Sequence, residues 1–145
     1  MYSTIRQRTL LGCAALITGF VIWSAQGAAP NTLIALGDQQ WAAGQLELAQ
    51  KTFEHAVKAE PRSVDAHMKL AGLQLSRQEF KACIETYQRA IGLDANNARA
   101  WLGLGFAYLH TGQNDLSLAA LDAAIRIDPG NQEKLAPVLA KLGTP

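Results

Sequence analysis

Cysteine and histidine are scarce in this chain, with two and three among 145 residues, and that scarcity removes whole classes of chemistry. Cys13 lies inside an N-terminal apolar run and Cys83 in the middle of the chain. If the N-terminal segment is removed, only Cys83 remains, and a single cysteine forms no internal disulfide. Cys83 is read as a small buried hydrophobe rather than a reactive thiol. His55, His67 and His110 are separated by 12 and 43 residues, so no two stand at metal-ligand spacing. No metal and no cofactor are expected.

Concentrated charge is also missing. The formal charge is +1, and without Arg6 and Arg8 the rest carries eleven basic against twelve acidic residues, a formal charge of −1. Neither value leaves the dense basic face that a nucleic-acid partner requires. There is no serine nucleophile motif and no cysteine–histidine arrangement. Gly103, Gly105 and Gly112 fall inside and after a predicted helix rather than behind a strand, so they make no phosphate loop. Asp115 and Asp122, seven apart, fit a solvated helix face better than an acid–base pair. The chain is expected not to be an enzyme.

The first 29 residues read as an address. Arg6 and Arg8 precede an apolar run of 14 residues, Leu10–Trp23, and the small-residue stretch Ser24–Ala29 follows. That order matches a secretory signal, with cleavage after Gly27 or Ala29. The alternative is an uncleaved anchor: residues 10–29 reach the lower limit for spanning about 30 Å of hydrocarbon. Cys13 precedes most of the apolar run, which argues against lipid attachment there. Arginines before the run and none just after it keep the N-terminus in the cytoplasm in either case. The expected location is therefore extracytoplasmic: periplasmic, or tied to the inner membrane by residues 10–29.

From Pro30 to Asn131 one 34-residue pattern occurs three times. Leu33, His67 and Trp101 share one slot; Leu36, Leu70 and Leu104 share the next, followed by the small residues Gly37, Ala71 and Gly105. Ala49, Cys83 and Ser117 correspond, as do Phe53, Tyr87 and Leu121, and then Ala56, Ala90 and Ala124. Each unit closes near Pro61, Ala95 or Pro129. A period of this length implies stacked helix pairs, because one pair cannot bury its apolar face alone. Apolar residues at three-and-four spacing predict two helices per unit. Gly44 and Gly112 supply left-handed stops between them, while Gln78 takes that place in the second unit. Ser63, Asn97 and Asn131 are expected to cap the first helix of the following element, and Asn114 the second helix of the third unit. No stretch predicts a strand.

The pattern resembles the tetratricopeptide repeat family over about 102 residues. It is fullest in the third unit, with Trp101, Leu104, Gly105, Tyr108, Ala124 and Pro129, and departs at Leu33 and Gln40 in the first and at His67, Gln74 and Ala95 in the second. The resemblance implies an all-α fold: an α-solenoid of three helix-turn-helix units (30–63, 64–97, 98–131) and a short C-terminal capping helix and tail over 132–145. Pro137 falls beyond the first turn of that helix if it begins at Gln132, so a kink or a later start is expected.

In the family, the first helix of each pair lines a concave groove that holds a partner peptide. Transferred to this chain, the groove residues are Asn31, Ile34 and Asp38; Asp65, Met68 and Lys69; and Arg99, Leu102, Phe106 and His110. The strip of Ile34, Met68, Leu102 and Phe106 suits the apolar side of a peptide, with charges fixing register. Ile34 and Leu102 could equally complete the core. A grip on a terminal carboxylate is not expected, because Ile34, Asp38 and Gly103 occupy slots where that clamp needs polar or cationic groups. The implied function is a non-enzymatic scaffold or adaptor that binds another protein during envelope, pilus or cytochrome assembly. The alternative is a structural spacer or self-associating module. The partner is a protein or peptide, with no nucleic acid, membrane contact only through an uncleaved N-terminal segment, and a homo-oligomer left open.

Overall fold

The computed structural model describes residues 30–143; the expected signal or anchor over 1–29, with Cys13, lies outside the described residues. Within them the elements are α1 (Pro30–Ala42), α2 (Leu46–Ala59), α3 (Val64–Ser76), α4 (Phe80–Leu93), α5 (Ala98–His110), α6 (Asn114–Ile127), a one-turn 3-10 helix (Pro129–Asn131) and α7 (Gln132–Leu142). No strand occurs among the described residues. The three hairpins α1–α2, α3–α4 and α5–α6 stack in chain order, and α7 closes the C-terminal end against α6.

The stack curves in a definite sense. The first helices of neighbouring units touch, α1 with α3 and α3 with α5, whereas α2, α4 and α6 pack only against their own partner and the helix that follows. The layer whose members lie closer together is the inside of the bend. That inner wall is made by α1, α3 and α5.

Close approach within each hairpin depends on missing side chains. A Cβ on Gly37 would overlap the Phe53 ring, and one on Gly105 would lie 2.6 Å from Leu121 Cδ2. The second unit has Ala71 in that slot, and its large residue Tyr87 fills space elsewhere: its phenol ring rests on Gly103 of the next first helix. Glycine at position 103 therefore has a packing cause that the repeat pattern alone did not reveal. Cys83, Tyr87, Ala90, Ala100 and Leu104 form the core between the second and third units. Burial pushes the Cys83 thiol up to about 12, in keeping with an inert core residue. His67 is also buried, its Nδ1 2.8 Å from the Ser63 carbonyl oxygen.

The two slots lacking the family tyrosine share a substitute. Thr52 donates to Gln40 at 2.7 Å and Thr86 to Gln74 at 2.9 Å, each across its own hairpin. In the third unit Tyr108 and Ala120 occupy the corresponding positions. A glutamine brings a polar end into the hairpin, and the threonine opposite satisfies it.

The turns follow the expected punctuation with two corrections. Gly44 and Gly112 have φ of +75° and +73°, and Gln78 adopts the same left-handed conformation at +63°. Ser63 and Asn97 cap α3 and α5 by accepting from the Ala66 and Ala100 amides. Asn131 does not cap α7: it ends the 3-10 turn, and Asp128 instead accepts from the Gly130 amide and the Asn131 side chain. Asn114 is likewise inside α6, preceded by Gln113, which makes no side-chain cap bond. Helix α7 begins at Gln132 and carries Pro137 in its interior; it buries Leu135 and leaves Glu133, Lys134 and Lys141 exposed.

These observations predict three stability effects. A left-handed non-glycine residue costs roughly 1–2 kcal/mol, partly offset by the greater unfolded-state freedom of glycine. Gln78→Gly should therefore raise the midpoint of thermal unfolding by a few degrees, whereas Gly112→Ala should lower it. Thr86→Val leaves the Gln74 amide oxygen buried without its donor and should cost about 1–3 kcal/mol by urea unfolding. The pair Gln74→Tyr with Thr86→Ala, copying the third unit, should recover most of that loss. Finally, a hydrogen bond from its own backbone and then the Arg77 guanidinium hold the Glu47 carboxyl below its usual range. A depressed carboxyl stabilises above its unfolded pKa and loses that contribution as pH falls through the folded value. Wild type should thus lose its small advantage over Glu47→Gln on acidification.

Candidate functional site

The inner wall is built from the faces of α1, α3 and α5 that turn away from α2, α4 and α6. Asn31, Asp65 and Arg99 sit in the first turns of these helices and are exposed. None makes a hydrogen bond or ion pair with its side chain among the described residues, so all three project polar groups at one rim of the wall. Met68, Leu102 and Phe106 are half-buried farther along.

Ile34 departs from the expectation. At 7% exposure it packs with Ala56 and Ala66, in the junction of α1, α2 and α3. Both alanines are fully buried and leave room for its branched side chain. Ile34 is a core residue and offers no surface to a ligand. Met68 and Leu102, its counterparts in the later repeats, keep part of their surface open.

Asp38 and Lys69 are joined to each other: Lys69 Nζ lies 2.7 Å from Asp38 Oδ2, bridging α1 and α3. The bond closes the wall between the first two units and leaves neither group as an isolated charge. Lys69 is still about one-third exposed and Asp38 somewhat more, so the pair presents a dipole rather than a cation. His110 ends α5, is exposed, and stacks on Phe80 with ring centroids 5.1 Å apart and planes 11° from parallel. The stack fixes the imidazole at the rim opposite Arg99, in the helix's last turn.

One wall residue was missed. Trp41 packs edge-on against Phe53, and its indole passes within 3.4 Å of where a Cβ on Gly72 would stand. The ring thus fills the space that a larger side chain at Gly72 would take, and forms the floor of the wall between α1 and α3. The signal was in the sequence: Trp41, Leu75 and Leu109 recur at the 34-residue period, late in each first helix. All three are half-buried. With Met68, Leu102 and Phe106 they make the apolar strip longer than the transferred residues suggested.

Two other features lie off this wall. Arg77 joins Glu79 at 2.8 Å and Glu47 at 3.0 Å, tying the second hairpin's turn to the start of α2. These carboxylates, Glu79 first, raise the guanidinium pKa, so the group is a permanent cation in a structural tie. A pocket of about 490 Å³ opens where the link before α5 meets the end of α6, lined by Ala95, Asn96, Trp101, Ala123, Arg126 and Ile127. The Trp101 indole is held at its side by donating to the Ala95 carbonyl at 2.9 Å. Among the described residues, no three His, Cys, Asp or Glu side chains are grouped to hold a metal ion. No helix among them is long and apolar enough to cross a membrane.

Comparisons with known proteins agree with this architecture. The family profile of the tetratricopeptide repeat matches residues 34–98 and 76–132. Among curated proteins, the CTR9 homolog of Arabidopsis thaliana is 28% identical over 107 residues, covering 73% of this chain and 10% of the relative. Superkiller protein 3 of Saccharomyces cerevisiae is 36% identical over 75 residues, 51% of this chain and 5% of the relative. The chain thus spans a tenth or less of these relatives' length.

Among solved structures, MamA is 28% identical with a TM-score of 0.70, covering 77% of this chain and 65% of that one. The first repeat domain of Spaghetti (RPAP3), bound to an HSP90 peptide, has a TM-score of 0.74 at 16% identity, covering 79% of this chain and 90% of that one. The type III secretion chaperone SycD of Yersinia enterocolitica, in complex with a peptide of the translocator YopD, has a TM-score of 0.69 at 16% identity and covers 77% and 87%. Repeats of this type mediate protein–protein interaction and are typically non-catalytic. With its period, its helix pairs and the matched profile in agreement, the chain belongs to the tetratricopeptide repeat family.

Proposed function

We propose that this protein is an extracytoplasmic adaptor that holds a segment of one partner polypeptide against its inner wall, during assembly of an envelope, pilus or cytochrome component. The observation that carries the proposal is the half-buried strip of Trp41, Met68, Leu75, Leu102, Phe106 and Leu109 along α1, α3 and α5, with the uncommitted Arg99 at its rim. Apolar side chains left partly open along a concave wall gain from being covered, and the rim groups set direction and register. The peptide-bound neighbours RPAP3 and SycD share the fold and make this mode of use reasonable. The order of arginines, apolar run and small residues before Pro30 supports export.

Arg99 is the better charge to test. Reversing Lys69 would set two carboxylates beside each other at Asp38 and loosen the α1–α3 contact itself. Arg99→Glu should weaken the isolated complex roughly tenfold, or about 1.4 kcal/mol, and Phe106→Asp should weaken it further, with unchanged circular dichroism. Undiminished binding by both variants would remove the inner wall as the site. Export is read separately. Alkaline phosphatase fused after the last repeat should be active, and mass spectrometry of the isolated protein should find a start near residue 28 or 30, or the intact anchor. An inactive fusion would place the protein in the cytoplasm.

A further inference from the structure

The two joints of the inner wall treat opposite charges differently. Between α1 and α3, Lys69 Nζ meets Asp38 Oδ2 at 2.7 Å, so this pair is closed within the chain. One repeat later the same two slots hold Gly72 and Gly103, and the α3–α5 joint has no such tie. Helices α3 and α5 nevertheless carry an opposite pair at the rim, Asp65 and Arg99, both exposed and one repeat apart. Neither side chain is bonded to the other or to any other described residue. Asn31 holds the same slot in α1, so the rim reads neutral, negative, positive along the stack.

The wall beneath this pair is apolar. Met68 follows Asp65 by about one helical turn, Leu102 follows Arg99 likewise, and both are half-buried. Helices α3 and α5 are in contact, and packed helices lie about 8–10 Å apart. A segment crossing the two helices over Met68 and Leu102 therefore passes both charges at roughly that separation. Two like charges in the segment would meet one attraction and one repulsion, which largely cancel. An opposite pair in matching order meets two attractions, and the order sets register.

Building on the inner wall as the partner site, we propose that the bound segment is dipolar. A basic side chain meets Asp65, an acidic one meets Arg99, and apolar residues between and beside them cover Met68 and Leu102. In a polyproline-type extended segment the two charges stand about three residues apart, at about 3.1 Å each. In a helical segment they stand about seven apart, at about 1.5 Å each. At either spacing both side chains leave from one face of the segment.

The test is display selection of random linear peptides on the isolated full chain, followed by anisotropy titration of the enriched peptides. Wild type should enrich peptides that carry one basic and one acidic residue at either spacing. Asp65→Arg should instead enrich peptides with two acidic residues, and Arg99→Glu peptides with two basic ones. Both positions are exposed, so circular dichroism should not change. Reversing either charge of a peptide selected on wild type should weaken it about tenfold, and the matching reversal at Asp65 or Arg99 should restore it. Phe106→Asp separates the two proposals. Peptides that need Phe106 but have the same charge composition on all three proteins overturn the dipolar segment and leave the wall as the site. Peptides indifferent to Phe106→Asp overturn both, and a selection that yields no binder overturns the dipolar segment.

Discussion

The fold depends on how closely two helices can approach, and that distance is set by atoms that are not there. Phe53 and Leu121 lie where a Cβ at Gly37 or Gly105 would be, and Tyr87 lies where one at Gly103 would be. Each of these intrusions puts a large apolar side chain at the point where a hairpin meets itself or its successor. Burial of such side chains is the main favourable term available to hairpins whose one cysteine, Cys83, is free. Because no hairpin covers its own apolar face, the contact between units adds to the stability that each hairpin has by itself. The bend and the inner wall follow from stacking three such hairpins.

Much of this was legible in the sequence, because period is a property that substitution at single positions does not erase. Three units in register located every hairpin, and the left-handed turns at Gly44 and Gly112 were readable from glycine alone. Gln78 shows the limit of that signal: the repeat imposes the same backbone on a residue that does not favour it. The C-terminal cap was misassigned for a related reason. Asp128 and Asn131 are both credible caps by residue type, and only the 3-10 turn between them decides which one accepts.

The groove was legible by slot but not by exposure. Family slots assign Met68, Leu102 and Phe106 to the inner side, where they are half-buried, yet Ile34 in the same slot as Met68 and Leu102 turns into the space left by Ala56 and Ala66. Which way a branched side chain turns depends on neighbours from other helices, and a register cannot report that. Trp41 was missed although its periodic partners Leu75 and Leu109 were visible, because the slot they share was not among those the resemblance carried over. The Gln40–Thr52 and Gln74–Thr86 bonds were missed because departures from the family tyrosine were taken one at a time. Two identical departures, each with threonine twelve residues later, formed a pattern of their own.

Cys83 gives the buried core an experimental handle. Its sulfur is enclosed where α4 meets α3 and α5, and burial keeps it in the thiol form. A thiol reagent can reach it only when α4 parts from α3 or α5. The rate of modification therefore counts openings around α4, and turns a residue without chemical duty into a clock for breathing of the solenoid.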